Sequence, residues 1–188
     1  MEGISEEPLG VEIPLWFAMG APYRNELKVQ AQLEDFGIRC FIPMRTDVAL
    51  RRGHKTRVRI PAVSNLLFAR CSTSRMKEVK PLIPKLQYKV CRNNETGNTI
   101  VIIPDKEMDD FITVTSALDD SSVVYYRPEE LSLAKGTRVR IVDGGIFDGA
   151  EGVVMKVKGH RSKKFIVQIP GFISAVTTIS PDLVEILK

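Results

Sequence analysis

Three scarcities narrow the possibilities before any motif is read. No apolar run approaches the ~20 residues of a membrane span, and Met1-Glu-Gly-Ile-Ser-Glu-Glu7 lacks the basic-then-apolar pattern of an export signal. The expectation is a cytoplasmic protein with no membrane role. Histidine is limited to His54 and His160, both in basic segments, so no Ser/His/Asp, Cys/His or metal-ligand spacing can be drawn. The adjacent acids Asp109-Asp110 and Asp119-Asp120 diverge from one another and make poor metal clamps. Cysteine is odd in number, at positions 40, 71 and 91, and forms no C-x-x-C, which points to reduced thiols. Neither an enzyme nor a metal or cofactor is expected.

Charge is what the sequence has in an uneven supply. The net charge is +4, yet residues 39–92 hold fourteen Lys/Arg against the two acids Asp47 and Glu78. That local excess of twelve positive charges is balanced by an excess of eight negative ones elsewhere. Such a one-sided segment makes a positive surface that attracts a polyanion or an acidic protein face.

The 188 residues suffice for one ordinary domain or two small ones. Residues 1–14 are acidic, contain Pro8 and Pro14 and read as a flexible tail. Leu15 to Met19 has strand length, Ala21-Pro22 is placed to open a helix, and Val29, Leu33 and Phe36 repeat at helical spacing until Gly37 stops them. A strand over 38–42, a basic hairpin over 45–59 and a central apolar strand over 66–69 follow. Met76 and Val79 mark a short helix curtailed by Pro81 and Pro84. Leu86, Tyr88 and Val90 alternate as a strand, the cluster 93–98 turns, and 99–103 pairs back. Asp105 is placed to cap a helix carrying Met108, Phe111, Ile112, Thr115 and Leu118.

Residues 119–131 read as a linker. Beyond it the pattern is all strand, over 137–142, 152–157, 165–169, 173–178 and 183–187, with Phe165, Ile169 and Ile173 inside. The expected domains are therefore 15–118, an α+β unit with a helix-flanked antiparallel sheet, and 132–188, a small all-β barrel. Within the barrel, Val139-Arg-Ile-Val-Asp-Gly-Gly-Ile-Phe-Asp-Gly-Ala-Glu-Gly-Val-Val154 is strand, glycine turn, strand. Gly144, Gly145, Gly149 and Gly152 are expected to supply positive φ, and Phe147 to plug the barrel end. No Gly-Lys-Ser/Thr follows, so this is not a phosphate-binding loop.

That spacing resembles the KOW motif of SH3-like barrels, carried here by Val139, Ile141, Gly145, Phe147, Gly149 and Gly152. With Trp16-Phe17, Leu33, Cys40, Ile42-Pro43-Met44, Arg52-Gly53 and Pro61-Ala-Val-Ser-Asn-Leu-Leu-Phe-Ala69 in order upstream, the chain resembles the NusG family of transcription elongation factors. Its spacing is similar to the specialised RfaH-like branch, and its acidic lead and connector to UpxY-type regulators of capsular polysaccharide operons.

The resemblance implies that an apolar depression grips the clamp helices of RNA polymerase, here through Val63, Ser64, Leu66 and Phe68 with Tyr88 nearby. Parity places Leu66 and Phe68 on one strand face and Leu67 on the other, so one set is expected to be core. The resemblance also implies a second polymerase contact at Ser72, Thr73, Ser74 and Arg75, though these residues read equally well as a polar helix cap. Arg24, Lys28, Arg51, Arg52, Lys55 and Arg57 are candidates for upstream or non-template DNA or nascent RNA. A ribosomal protein or Rho would be the barrel's partner, and a monomer is expected.

The sequence departs from the family at Val63, Ser64 and Leu66, where an aromatic-rich turn keeps only Asn65, and at Ala21-Pro22, where a DNA-reading basic pair is missing. An alternative reading is a KOW-type RNA-binding or ribosome-associated module, with a basic loop at 159–164. Masking by a helical C-terminal hairpin is disfavoured by the glycines and Pro170.

Overall fold

The computed structural model describes residues 12–51, 53–93, 97–118 and 122–187. Strand β1 (Leu15–Gly20) leads to helix α1 (Glu26–Asp35) and strand β2 (Arg39–Phe41). A long hairpin of β3 (Met44–Arg51) and β4 (His54–Pro61) precedes β5 (Leu67–Cys71) and helix α2 (Thr73–Val79). Short strands β6 (Gln87–Tyr88), β7 (Val90–Asn93), β8 (Gly97–Ile100) and β9 (Ile102–Ile103) lead into helix α3 (Asp105–Ala117). The remainder is β10 (Val124–Tyr126), β11 (Thr137–Ile141), β12 (Glu151–Lys156), β13 (Lys163–Ile169), β14 (Ile173–Thr177) and β15 (Val184–Ile186).

The N-terminal sheet runs β2-β5-β1-β6 and is antiparallel, with β9 also on β1. Strand parity divides its apolar residues into two sets. Phe17, Met19, Leu67, Ala69 and Cys71 face Val29 and Leu33 of α1, Met76 and Val79 of α2, and Ile83 and Leu86. Trp16, Ala18, Leu66 and Phe68 face the other way, towards Met108, Phe111 and Val114 of α3 and the barrel. Residues Leu66, Leu67 and Phe68 are all at most 2% exposed, so both sets are buried.

Helix α1 ends as its sequence predicts. Gly37 takes φ +74°, its N–H donates to the Glu34 carbonyl, and the Ile38 N–H donates to the Leu33 carbonyl. Its start differs. Tyr23 and Arg24 adopt φ of 62° and 57°, a left-handed pair incompatible with a helix opening at Ala21-Pro22, so α1 begins four to five residues later at Glu26. At α3 the cap position belongs to Pro104; Asp105 is the first helical residue and receives two hydrogen bonds from the Arg70 guanidinium, at 3.2 and 3.1 Å.

The C-terminal sheet runs β10-β14-β13-β12-β11-β15 and coils around Val139, Ile141, Phe165, Val167, Ile169 and Ile173. The segment read as a linker is thus partly structural: Val124, Tyr125 and Tyr126 pair with Val176, Ala175 and Ser174. No α-helix follows Ala117 among the described residues. In the KOW loop Gly144 and Gly149 do take positive φ, whereas Gly145 and Gly152 do not. Gly152 is required for space instead, since a Cβ there would sit 2.6 Å from the Ile166 carbonyl oxygen and 2.7 Å from the Phe165 ring.

Candidate functional site

The face formed by Trp16, Ala18, Leu66 and Phe68 is the candidate partner surface. Pairing of β1 with β5 sets Ala18 opposite Phe68, and β2 brings Phe41 to its other side. The face is covered. Phe172, at the β13–β14 turn, meets the Phe68 ring edge-on with centroids 6.3 Å apart. Phe111 of α3 meets Phe41 in the same manner, also at 6.3 Å. Beside this contact lies a cleft of about 210 Å³ lined by Val63, Ser64, Asn65, Leu66, Lys89 and Phe172, among others. Burial at its rim pushes the Lys89 ammonium below its ordinary value.

Of the five residues expected at the polymerase depression, the structure brings together Val63, Ser64, Leu66 and Phe68. Tyr88 does not join them. Its register opposite Met19 turns it to the helix side of the sheet, where its ring lies 6.2 Å from Phe17. Trp16 takes a place on the face that Tyr88 does not. It is fully buried, the Arg39 guanidinium lies 5.2 Å over its ring, and its indole N–H has no hydrogen-bond partner among the described residues.

The turn leading into this face is held by Asn65, at φ 58°, a conformation asparagine tolerates better than most residues. Its backbone N–H donates to the Glu26 carboxylate, itself 2% exposed. Gly20 faces the Asn65 side chain so closely that a Cβ would lie 2.8 Å from its Oδ1.

At Ser72–Arg75 the cap reading has direct geometry. Ser72 is the N-cap of α2 and its Oγ accepts from the Arg75 N–H at 3.2 Å. The Ser74 hydroxyl donates to the Glu12 carboxylate, which also accepts from the Ser74 N–H at 3.2 Å and is held below its ordinary pKa mainly by these bonds. Arg75 pairs with Glu78 at 3.2 Å and donates to the Phe36 carbonyl. Thr73 opens the helix, exposed.

Among the basic candidates, Arg24 and Lys28 are exposed near the start of α1, and Lys55 and Arg57 are exposed on β4. The Arg51 backbone sits opposite His54 in the register at the hairpin end, and Arg52 lies outside the described residues. In the KOW segment Val139 and Ile141 are buried and Phe147 packs half-buried on the same core. Gly149 gains a role the sequence did not signal: its carbonyl accepts from the Lys106 ammonium at 3.1 Å, tying α3 to the barrel. Lys106 also holds Asp110 at 2.7 Å, while Glu151 pairs with Arg140 at 2.9 Å.

No group of three or more His, Cys, Asp or Glu able to hold a metal occurs among the described residues. Burial pushes the Cys40 thiol up to about 12 and that of Cys71 to about 11, so neither is a nucleophile near neutrality. No described helix is long and apolar enough to cross a membrane. The residues that sequence reasoning missed are Trp16 on the face, Glu26 beneath its turn, and Phe172, whose aromatic ring after Pro170-Gly171 was the one available signal.

No curated protein matches. A solved structure described as "Domain interaction in Thermotoga maritima NusG" aligns over 93% of this chain and 98% of that one, at 19% identity and a TM-score of 0.45. The sequence profile of the NusG family, described as "Transcription termination factor nusG", matches residues 14–112, which is more than half of the chain. The chain belongs to the NusG family of transcription elongation and antitermination factors.

Proposed function

We propose that this protein is an operon-specific elongation and antitermination regulator that grips the clamp helices of RNA polymerase with the face around Val63, Leu66 and Phe68. One observation carries the reading: within the segment that matches the family, a sheet face of large apolar side chains is covered partly by the turn of a separate barrel. A coiled-coil tip offers the few large side chains that such a socket desolvates. Polymerase can engage Phe68 only after Phe172 has left it, so binding selects the parted arrangement by differential affinity. Once bound, the protein disfavours the paused polymerase without chemistry of its own.

In the same reading Ser72, Thr73, Ser74 and Arg75 form a second polymerase contact, and the exposed cations Arg24, Lys28, Lys55 and Arg57 lie along upstream or non-template DNA or nascent RNA. The freed barrel recruits a ribosomal protein or Rho. The protein works as a cytoplasmic monomer. Specialisation is inferred from Val63, Ser64 and Leu66, which replace the family's aromatic-rich turn.

Capture by purified core polymerase tests this. The full chain is expected to bind, Leu66→Ala with Phe68→Ala to bind at least tenfold more weakly, and Phe172→Ser to bind more tightly. Absence of binding, or indifference to Leu66 and Phe68 in folded variants, would sink the proposal. Transcript mapping in a deletion strain tests specificity: changes in one or a few long operons are expected, and genome-wide changes would remove the specialist reading alone.

A second reading rests on residues 156–164, where Lys156, Lys158, Arg161, Lys163 and Lys164 occur without an acid between β12 and β13. A barrel that binds structured RNA there would do so with polymerase dispensable. Displacement of RNA by polymerase separates the two.

A further inference from the structure

The β3–β4 hairpin is a two-stranded ribbon that pairs with no other strand among the described residues. Its register sorts the side chains into two unlike faces. Residues directly opposite one another in an antiparallel pair share a face, so Thr46 with Arg59, Val48 with Arg57, and Leu50 with Lys55 lie together. On this face β4 supplies a row of cations and β3 a row of Thr, Val and Leu. All six residues are exposed, with Val48 at 59% and Leu50 at 72%.

The opposite face differs in kind. It carries Asp47, the ribbon's one acid, and Arg45, which pairs with it at 3.3 Å. Asp47, Ala49, Val58 and Ile60 on that face are half-buried. Single exposed aliphatics are ordinary. Two neighbours in one row, set beside three cations on the adjoining strand and segregated from the acid, form a surface with a direction across it.

From this geometry we propose that the Val48/Leu50–Lys55/Arg57/Arg59 face binds a nucleic-acid strand whose bases are unpaired. The β4 cations lie along its phosphates and the β3 aliphatics lie against its base planes. Cations at alternate strand positions are spaced about 6.8 Å apart, on the scale of successive phosphates in an extended strand. The aliphatic row lies one strand spacing away, about 4.8 Å, which suits bases projecting to one side of that backbone. Duplex DNA satisfies half of this surface. Its phosphates reach Lys55, Arg57 and Arg59, but its stacked bases leave Val48 and Leu50 wet. The inference rests on the nucleic-acid part of the function proposed above and names its ligand more narrowly.

Fluorescence anisotropy of the full chain with labelled oligothymidylate, oligouridylate and a duplex of equal length, at fixed salt, tests it. Both single strands are expected to bind more tightly than the duplex. Val48→Thr with Leu50→Thr keeps strand propensity and should weaken single-strand binding about tenfold, equivalent to about 1.4 kcal/mol, while duplex affinity stays unchanged. Lys55→Gln with Arg57→Gln should weaken every probe and reduce the single-strand salt slope by about 1.4, at roughly 0.7 for each phosphate no longer neutralised. A preference for duplex, or a Val48/Leu50 variant that binds single strands as well as the parent, overturns the proposal. So does reduced polymerase capture by that variant with unchanged single-strand binding, since the row would then be a protein contact. A parent chain that ignores polymerase yet prefers single strands would remove the polymerase reading and leave this one standing.

Discussion

The two faces of the N-terminal sheet are equally dry and differently owned. On one, Leu67 and Met19 pack against α1 and α2, helices joined to the sheet by short connections. On the other, Phe68 and Trp16 are just as buried, but part of their cover comes from a barrel more than forty residues downstream in the chain. Burial alone therefore does not separate core from interface. What separates them is whether the cover can leave while the sheet stays folded.

Substitutions on each side can break or sharpen this contrast. The largest effect is expected at Leu67→Ala, which opens a cavity against α1 and α2 and should lower unfolding stability by about 2–5 kcal/mol in denaturant titration. A loss below about 1 kcal/mol would mean that the helix side is no more integral than the other. Next is Gly152→Ala, where the new Cβ meets a backbone oxygen that cannot yield. A cost of about 1–3 kcal/mol, confined to the barrel, is expected. Amide hydrogen exchange should then rise in β11 to β14, with α1 and β5 backbone protection retained.

Phe172→Ala should act more gently still. It removes the ring from Phe68 without touching the helix side, so the sheet's unfolding midpoint should hold while polymerase capture improves. Lys106→Ala removes the bond to the Gly149 carbonyl and the pairs with Asp110 and Glu151. These groups are partly exposed, so screening limits the expected loss to under about 1 kcal/mol. It should appear as faster exchange at the α3–barrel boundary.

The smallest effect concerns pH. The Arg140 hydrogen bond holds the Glu151 carboxyl below its ordinary value of 4.5, so its contribution is present above that value and is lost as pH falls through the lower folded-state value. Asp110 runs the other way, because burial raises its pKa and acid relieves the cost of its charge. The two partly cancel. Asp110→Asn should therefore make the loss on acidification below about pH 4.5 steeper, as followed by tryptophan fluorescence of buried Trp16.

Much of the fold was legible because the signals were local. Val29, Leu33 and Gly37 specify α1 and its end, and the five later strands fall close to where their alternation puts them. The side-chain parity of Leu66, Leu67 and Phe68 was equally readable. What parity cannot carry is the cover on each side, which depends on contacts between distant segments such as Phe68 with Phe172. Tyr88 went to the wrong face for the same reason: its orientation follows from pairing with Met19, a long-range register. The start of α1 failed on backbone conformation at Tyr23 and Arg24, where neither residue type advertises a left-handed φ. Gly152 looked like a turn glycine, and its actual constraint is the approach of β13.

The pairing of β10 with β14 also sets how far the barrel can go. With Val124 already part of the barrel sheet, only six residues, 118–123, separate the last residue of α3 from β10. Fully extended, those few residues span no more than about 20 Å. A barrel on so short a leash stays at an effective concentration in the millimolar range beside the face it has left. The Phe68–Phe172 contact can then be intrinsically weak and still compete. Lengthening that tether by a flexible insert would dilute the competitor without altering a single contact.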